Sequence, residues 1–144
     1  MYKHLLVPTD GSKLSDHAVK EATALAKTLG AKATLFHAAP MQIWPVYAES
    51  AMVVQYSEAD FRVETRRNAE RVLEKAAKRA GMAVATQYVL SDLPYDAIVK
   101  AATKHKCDLI VMASHGRRGL SGFLLGSETQ KVLTHSKVPV LVVR

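Results

Sequence analysis

Short apolar runs alternate with segments of helical period along this chain, and that alternation limits its fold more than any other feature. Leu5-Leu6-Val7 lies inside a first strand-like run from Lys3 to Pro8. Ser12 or Ser15 can then cap a helix whose apolar residues Ala18, Val19, Ala22, Leu25, Ala26 and Leu29 share one face, with Gly30 as its stop. A second strand is expected over Ala31 to Ala38, followed by an irregular stretch from Pro40 to Tyr56. Ser57 offers an N-cap to a long helix with Phe61, Ala69, Val72, Leu73, Ala76 and Ala80 inward, ended by Gly81. A third strand is expected over Ala83 to Leu90. Pro94 then suits the first turn of a helix whose inner face carries Ile98, Ala101, Ala102 and His105. Leu109 to Met112 reads as a fourth strand, Ser127 to Ser136 as a fourth helix and Val138 to Val143 as a fifth strand.

A strict β-α alternation needs crossovers that return each strand to the same end of a parallel sheet, with helices on both faces. The expected fold is therefore one doubly wound α/β domain over residues 1–144 with five strands and four helices. Ligands of such sheets bind beyond the carboxyl ends of the strands, where the winding reverses. For five strands that directs attention to the residues after the first and fourth.

Composition narrows the class. With 49% hydrophobic and 23% charged residues among 144, the chain can build a core, which excludes disorder as its main state. Cys107 is the only cysteine, so no internal disulfide can form. No apolar run reaches the ~20 residues of a membrane span, and the N-terminal segment has no signal-peptide pattern, so a cytoplasmic protein is expected. Twenty Lys and Arg against 13 Asp and Glu give a net charge of +7, which favours anionic partners without choosing among them. The cations are dispersed and aromatics are sparse, which argues against nucleic acid.

The first strand runs into Pro8-Thr9-Asp10-Gly11-Ser12, and the fourth into Ala113-Ser114-His115-Gly116-Arg117-Arg118 and on to Gly126-Ser127. Four of the seven glycines fall between Gly116 and Gly126. Such a loop can turn several backbone N–H groups inward as an anion nest. Ser127 followed by Gln130 fits a capping box, which places a helix N-terminus at the loop's end. Its partial positive charge and unpaired donors suit phosphate. The loop is neither a Walker A sequence nor a G-x-G-x-x-G fingerprint. No G-x-S-x-G elbow is present, and no histidine pair has helical metal-site spacing. A binder's parts are plainer here than a catalyst's.

These segments, with His37 ending the second strand and Val138-Pro139-Val140-Leu141-Val142-Val143 at the end, resemble the universal stress protein family over essentially the whole chain. The resemblance implies a sheet of order 3-2-1-4-5 and a dimer. It also implies ATP held through G-x-x-G, nine residues, then G-[ST], in company with Mg²⁺ or Mn²⁺. Gly116 is the second glycine of that motif and Gly126-Ser127 its close, while Ala113 stands in place of the first glycine. An alanine adds a Cβ and cannot serve if the position needs φ > 0. Carried over, Asp10 would meet the ribose or a phosphate-bound metal, and Pro8 and Thr9 would shape the adenine pocket. Ala38 would offer backbone groups to the adenine edge, with Met112 near the base. Ala113, Ser114, His115 and Arg117 belong to the loop around the nucleotide. Gly116, Gly126, Ser127 and Glu128 would bind phosphates, mainly through backbone N–H. Ser91-Asp92 after the third strand is a second departure, where the family often has glycine.

Other readings stand beside these. Asp10 can cap the first helix or bond Ser12 in an Asx turn. The glycine loop can be a plain crossover, and Cys107 a small strand-edge hydrophobe. Pro40 to Tyr56 can pack over the pocket or form a partner surface. An edge strand over Val138 to Val143 invites antiparallel pairing with a second copy. The function expected is a dimeric ATP-binding regulator of stress or energy state rather than a fast enzyme. The alternative is a nucleotide-free adaptor of the same fold.

Overall fold

The computed structural model describes residues 1–41, 57–116 and 124–144. Nine elements follow in order: β1 (His4–Pro8), α1 (Lys13–Leu29), β2 (Lys32–Ala39), α2 (Glu58–Ala80), β3 (Ala85–Leu90), α3 (Pro94–Lys104), β4 (Leu109–Ala113), α4 (Ser127–His135) and β5 (Val140–Val143). The strands form one sheet in the order β3-β2-β1-β4-β5, with every pairing parallel. This is the expected α/β architecture. Among the described residues no helix is long and apolar enough to cross a membrane.

Strand alternation sorts the core into two layers. Leu5 and Val7, Ala33 and Leu35, and Leu109 and Val111 point to one face, where they meet Val19, Ala22 and Ala26 of α1 and Leu73, Ala76 and Ala80 of α2. Leu6, Phe36, Ile110 and Met112 point to the other, against Ile98, Ala101 and Ala102 of α3 and Val132 of α4. Burial on both faces is why the central strands read as continuous apolar runs rather than as alternation. The edge strand β3 is largely exposed, and β5 is only partly covered.

Ser12, not Ser15, caps α1: its hydroxyl accepts the Ser15 N–H at 3.2 Å. Gly30 closes the helix at φ 62°, a left-handed conformation that glycine adopts at little cost. Ser57 caps α2 as expected, and Pro94 opens α3. His105, expected on the inner face of α3, instead ends that helix as its C-cap and is half-buried. β3 begins at Ala85 rather than Ala83, opposite Thr34. β5 begins at Val140 rather than Val138, because Ser136 Oγ accepts the Val138 N–H and donates to its carbonyl, holding that residue in a turn. Pro139, with no N–H, contributes only a carbonyl, to the Ile110 N–H.

Candidate functional site

β1 and β4 are neighbours at the centre of the sheet, so their two following loops emerge side by side where the winding reverses. The first loop is pinned atom by atom at Thr9. Its N–H donates to the Phe36 carbonyl at 2.8 Å, and its own carbonyl accepts from His37 Nδ1 at 2.8 Å. A carbonyl only accepts, so Nδ1 carries the proton. Thr9 Oγ1 lies 3.0 Å from Ser15 Oγ and accepts the Gly11 N–H at 3.2 Å. Because the Ser15 hydroxyl donates to the Ser12 carbonyl, the proton between Thr9 and Ser15 comes from Thr9. Thr9 is buried and its hydroxyl is spent inside the loop.

Asp10 follows on this fixed base. Its Oδ1 accepts the Ser12 N–H at 2.9 Å, the Asx turn that the sequence allows, and Gly11 makes the turn at φ 77°. The other carboxylate oxygen faces Gly116: a Cβ built there would run into Asp10 Oδ2. The two loops therefore touch at Asp10 and Gly116. The glycine has ordinary φ, so it is needed for the close approach alone.

The second loop leaves β4 through Ala113 and Ser114. Ala113 has no positive φ, lies in the strand paired with Val143, and is buried. Its alanine therefore sits without backbone strain at the place of the first motif glycine. Its carbonyl accepts the Thr129 hydroxyl at 3.1 Å, which ties β4 to α4. The Ser114 carbonyl accepts the Gly126 N–H at 2.8 Å, so the loop closes on itself where α4 begins. Ser114 Oγ also lies 3.1 Å from His115 Nδ1. Arg117 and Arg118 fall outside the described residues, as does nearly all of the Pro40–Tyr56 stretch.

The α4 cap differs from expectation. Gly126, not Ser127, is the N-cap, in extended conformation, and the Gln130 N–H bonds to its carbonyl at 3.0 Å. The cause is the contact of residue 126 with the preceding strand end, which fixes the chain's turn one residue early and needs a residue without a Cβ. Ser127 is the first helical residue and is exposed, and among the described residues α4 has no side-chain cap. The N–H groups of Ser127, Glu128 and Thr129 thus open the helix as donors without intrahelical acceptors. The Glu128 side chain is engaged elsewhere. Its Oε2 accepts the Tyr95 N–H at 2.8 Å, capping α3 across the helix pair, and its Oε1 pairs with Lys131 at 2.8 Å.

Ala38 and Met112 lie at the rim of the second core layer, where Ala38 packs against the cluster holding Met112 and Phe36. Pro8 is buried in register with Phe36. A cleft of about 560 Å³ between α2 and β3, lined by Leu73, Ala77 and Tyr88 among others, lies away from all of these residues. The residue least legible in the sequence is His37, a buried imidazole inside β2 two residues before its end, not the strand's last residue as expected. Its only local signal is a polar residue interrupting an apolar run.

The profile described as Universal stress protein family matches residues 1–144. A universal stress protein of Thermus aquaticus is 33% identical over 147 residues, covering 100% of both chains. Among solved structures, the Methanocaldococcus jannaschii protein MJ0577, subject of a structure-based assignment of biochemical function, superposes with a TM-score of 0.79. It is 32% identical over 99% of this chain and 96% of its own. A universal stress protein solved in complex with cAMP superposes with a TM-score of 0.72 and 28% identity, over 99% of this chain and 97% of its own.

Proposed function

The chain belongs to the universal stress protein family, and from that premise we propose that it binds an adenine nucleotide, ATP foremost, between the loops that follow β1 and β4. The observation that carries this reading is the α4 N-terminus. Among the described residues no side chain caps it; it is held by the Gly126–Ser114 bond, and the loop from which it follows touches Asp10 through Gly116. Unpaired helix N–H groups and the helix dipole suit a phosphate, and Asp10 on the opposite loop suits a ribose hydroxyl. A relative of the same fold is solved with cAMP, which agrees with an adenosine phosphate as ligand.

Arg117 and Glu128 frame the phosphate end in sequence, with Glu128 contributing its backbone N–H while its carboxylate serves α3. Among the described residues no group of three or more His, Cys, Asp or Glu could hold a metal by itself. Asp10 therefore fits Mg²⁺ or Mn²⁺ only as a partner to an ion that the nucleotide phosphates bring, which is how such ions are commonly held. The function proposed is a nucleotide-dependent regulator in the stress response. It acts as a homodimer through the β5 edge, in the cytoplasm.

Nucleotide extracted from freshly purified protein by denaturation and separated by anion exchange tests the reading. Adenine nucleotide near one per chain, reduced at least tenfold by Asp10→Ala, is the result expected. Protein that carries none and gains none on incubation with ATP would favour the nucleotide-free adaptor.

A further inference from the structure

In a parallel ladder with Pro8 opposite Phe36, the next pair is Thr9 and His37, and two bonds should join them: Thr9 N–H to the Phe36 carbonyl, and Ala38 N–H to the Thr9 carbonyl. The first is present at 2.8 Å. The second is not found among the described residues, and the Thr9 carbonyl is taken by His37 Nδ1 at 2.8 Å. A side chain of β2 has replaced a backbone rung of β2.

Peptide groups two residues apart along a strand face the same neighbour. The Phe36 carbonyl faces β1, so the Ala38 N–H and carbonyl face that side too, at the mouth of the crevice. Ala38 is half-buried and lies over the cluster that holds Met112. We propose that His37 is a positioning residue: by taking the Thr9 carbonyl it keeps the Ala38 N–H out of the β1–β2 ladder, beside an Ala38 carbonyl whose own ladder donor, the Gly11 N–H, is held by Thr9 Oγ1 at 3.2 Å, so that the two form a donor–acceptor pair for the edge of an adenine base. The inference rests on the nucleotide reading and goes beyond it, since it names the residue that prepares the base-binding edge.

The same bond aims Asp10. The Thr9 carbonyl and the Asp10 N–H belong to one planar peptide unit, so an imidazole that holds the oxygen also sets the orientation from which the Asp10 side chain departs. One buried histidine thus orients both the base edge and the carboxylate of the opposite rim. Adenine offers an acceptor N1 beside a donor N6, whereas guanine reverses that polarity, so with the ribose fixed the Ala38 pair discriminates between them.

The test compares wild type with His37→Ala and His37→Asn; the Asn side-chain amide can donate to the Thr9 carbonyl from nearly the Nδ1 position. Calorimetric titration with ATP and GTP in Mg²⁺ should show adenine preference in wild type. That preference and the ATP affinity should fall by on the order of tenfold in His37→Ala and be recovered in His37→Asn. Amide exchange adds a readout that needs no ligand. The Ala38 amide should exchange faster than that of Phe36 in wild type and become protected in His37→Ala, as the missing rung closes. A His37→Ala variant that binds ATP within twofold of wild type overturns the proposal, as does a wild-type Ala38 amide as protected as that of Phe36. A wild type with no affinity for adenine nucleotides overturns the nucleotide reading and the base as Ala38's ligand. In that case the exchange contrast still decides the His37 clamp.

Discussion

A Cβ added at Gly126 would lie 2.9 Å from the Cβ and 3.0 Å from the Cα of His115, against atoms that cannot yield without moving the strand end. Gly126→Ala is therefore expected to lower stability and ligand affinity together, and so cannot separate a binding role from a folding one. Gly116 differs. Among the described residues a Cβ there meets only the Asp10 carboxylate, the end of a side chain, so Gly116→Ala should displace Asp10 while the fold survives. The expected outcome is a melting temperature within a few degrees of wild type and an ATP affinity at least tenfold weaker, read by calorimetry. Ala113 makes the complementary case. Its strand conformation already accepts a Cβ, so Ala113→Gly should leave affinity within about threefold.

The helices are joined by specific polar contacts as well as by apolar faces. Asp16, in the first turn of α1, is buried and paired with Arg79 of α2 at 2.9 Å, with Lys75 at 4.0 Å. Its Oδ1 has no hydrogen-bond partner among the described residues, so the carboxylate depends on these cations. Arg79→Ala strands a buried charge and should cost about 1–3 kcal/mol in denaturant unfolding, below the full cost of a buried pair because Arg79 is 40% exposed. The elements themselves were legible because their signals are local. Ser57, Gly30, Gly81 and Pro94 act on the chain at their own positions, and the buried faces of α1 and α2 follow the helical period. α4 starts at Ser127 as its sequence suggests, but its N-cap is Gly126 rather than Ser127, and the close approach of Gly126 to His115 is a contact that no local spacing reveals. His37 is expected to end β2 but lies within it, two residues before Ala39, and its role as a clamp is not visible because its partner lies 28 residues away on β1's loop. Glu128 likewise turns to Tyr95, which no spacing in α4 reveals.

At the scale of the molecule, two groups at the amino end of β4 shape the response to pH. Burial and the neighbouring Asp108 charge push the Cys107 thiol up to about 11 from 9.0. The folded state thus keeps a proton that the unfolded chain loses, so stability should decline as pH rises from about 9 to about 11. Near neutrality the thiol should resist alkylation until the protein unfolds. For Asp108, burial acts to raise the carboxyl pKa but is outweighed by the N–H groups of His4 and Lys3, at 2.9 and 2.8 Å, which lower it. Its contribution is present above 3.8 and lost as pH falls through the lower native value, so acid unfolding of Asp108→Asn should be less steep below pH 3.8. Among the described residues β5 leaves one backbone edge of the sheet unpaired, with Leu141 44% exposed. Leu141→Lys should shift a dimer to monomer in sedimentation without changing nucleotide affinity. The parallel α/β class followed from alternation and the strand order from the family resemblance, whereas the contacts between the loops after β1 and β4 join residues far apart in sequence. The most direct test of the central claim is calorimetric titration of nucleotide-stripped protein with ATP and Mg²⁺. Saturable binding near one ATP per chain, weakened at least tenfold by Gly116→Ala, is the result predicted. No heat of binding up to millimolar ATP, with the fold intact, would contradict it.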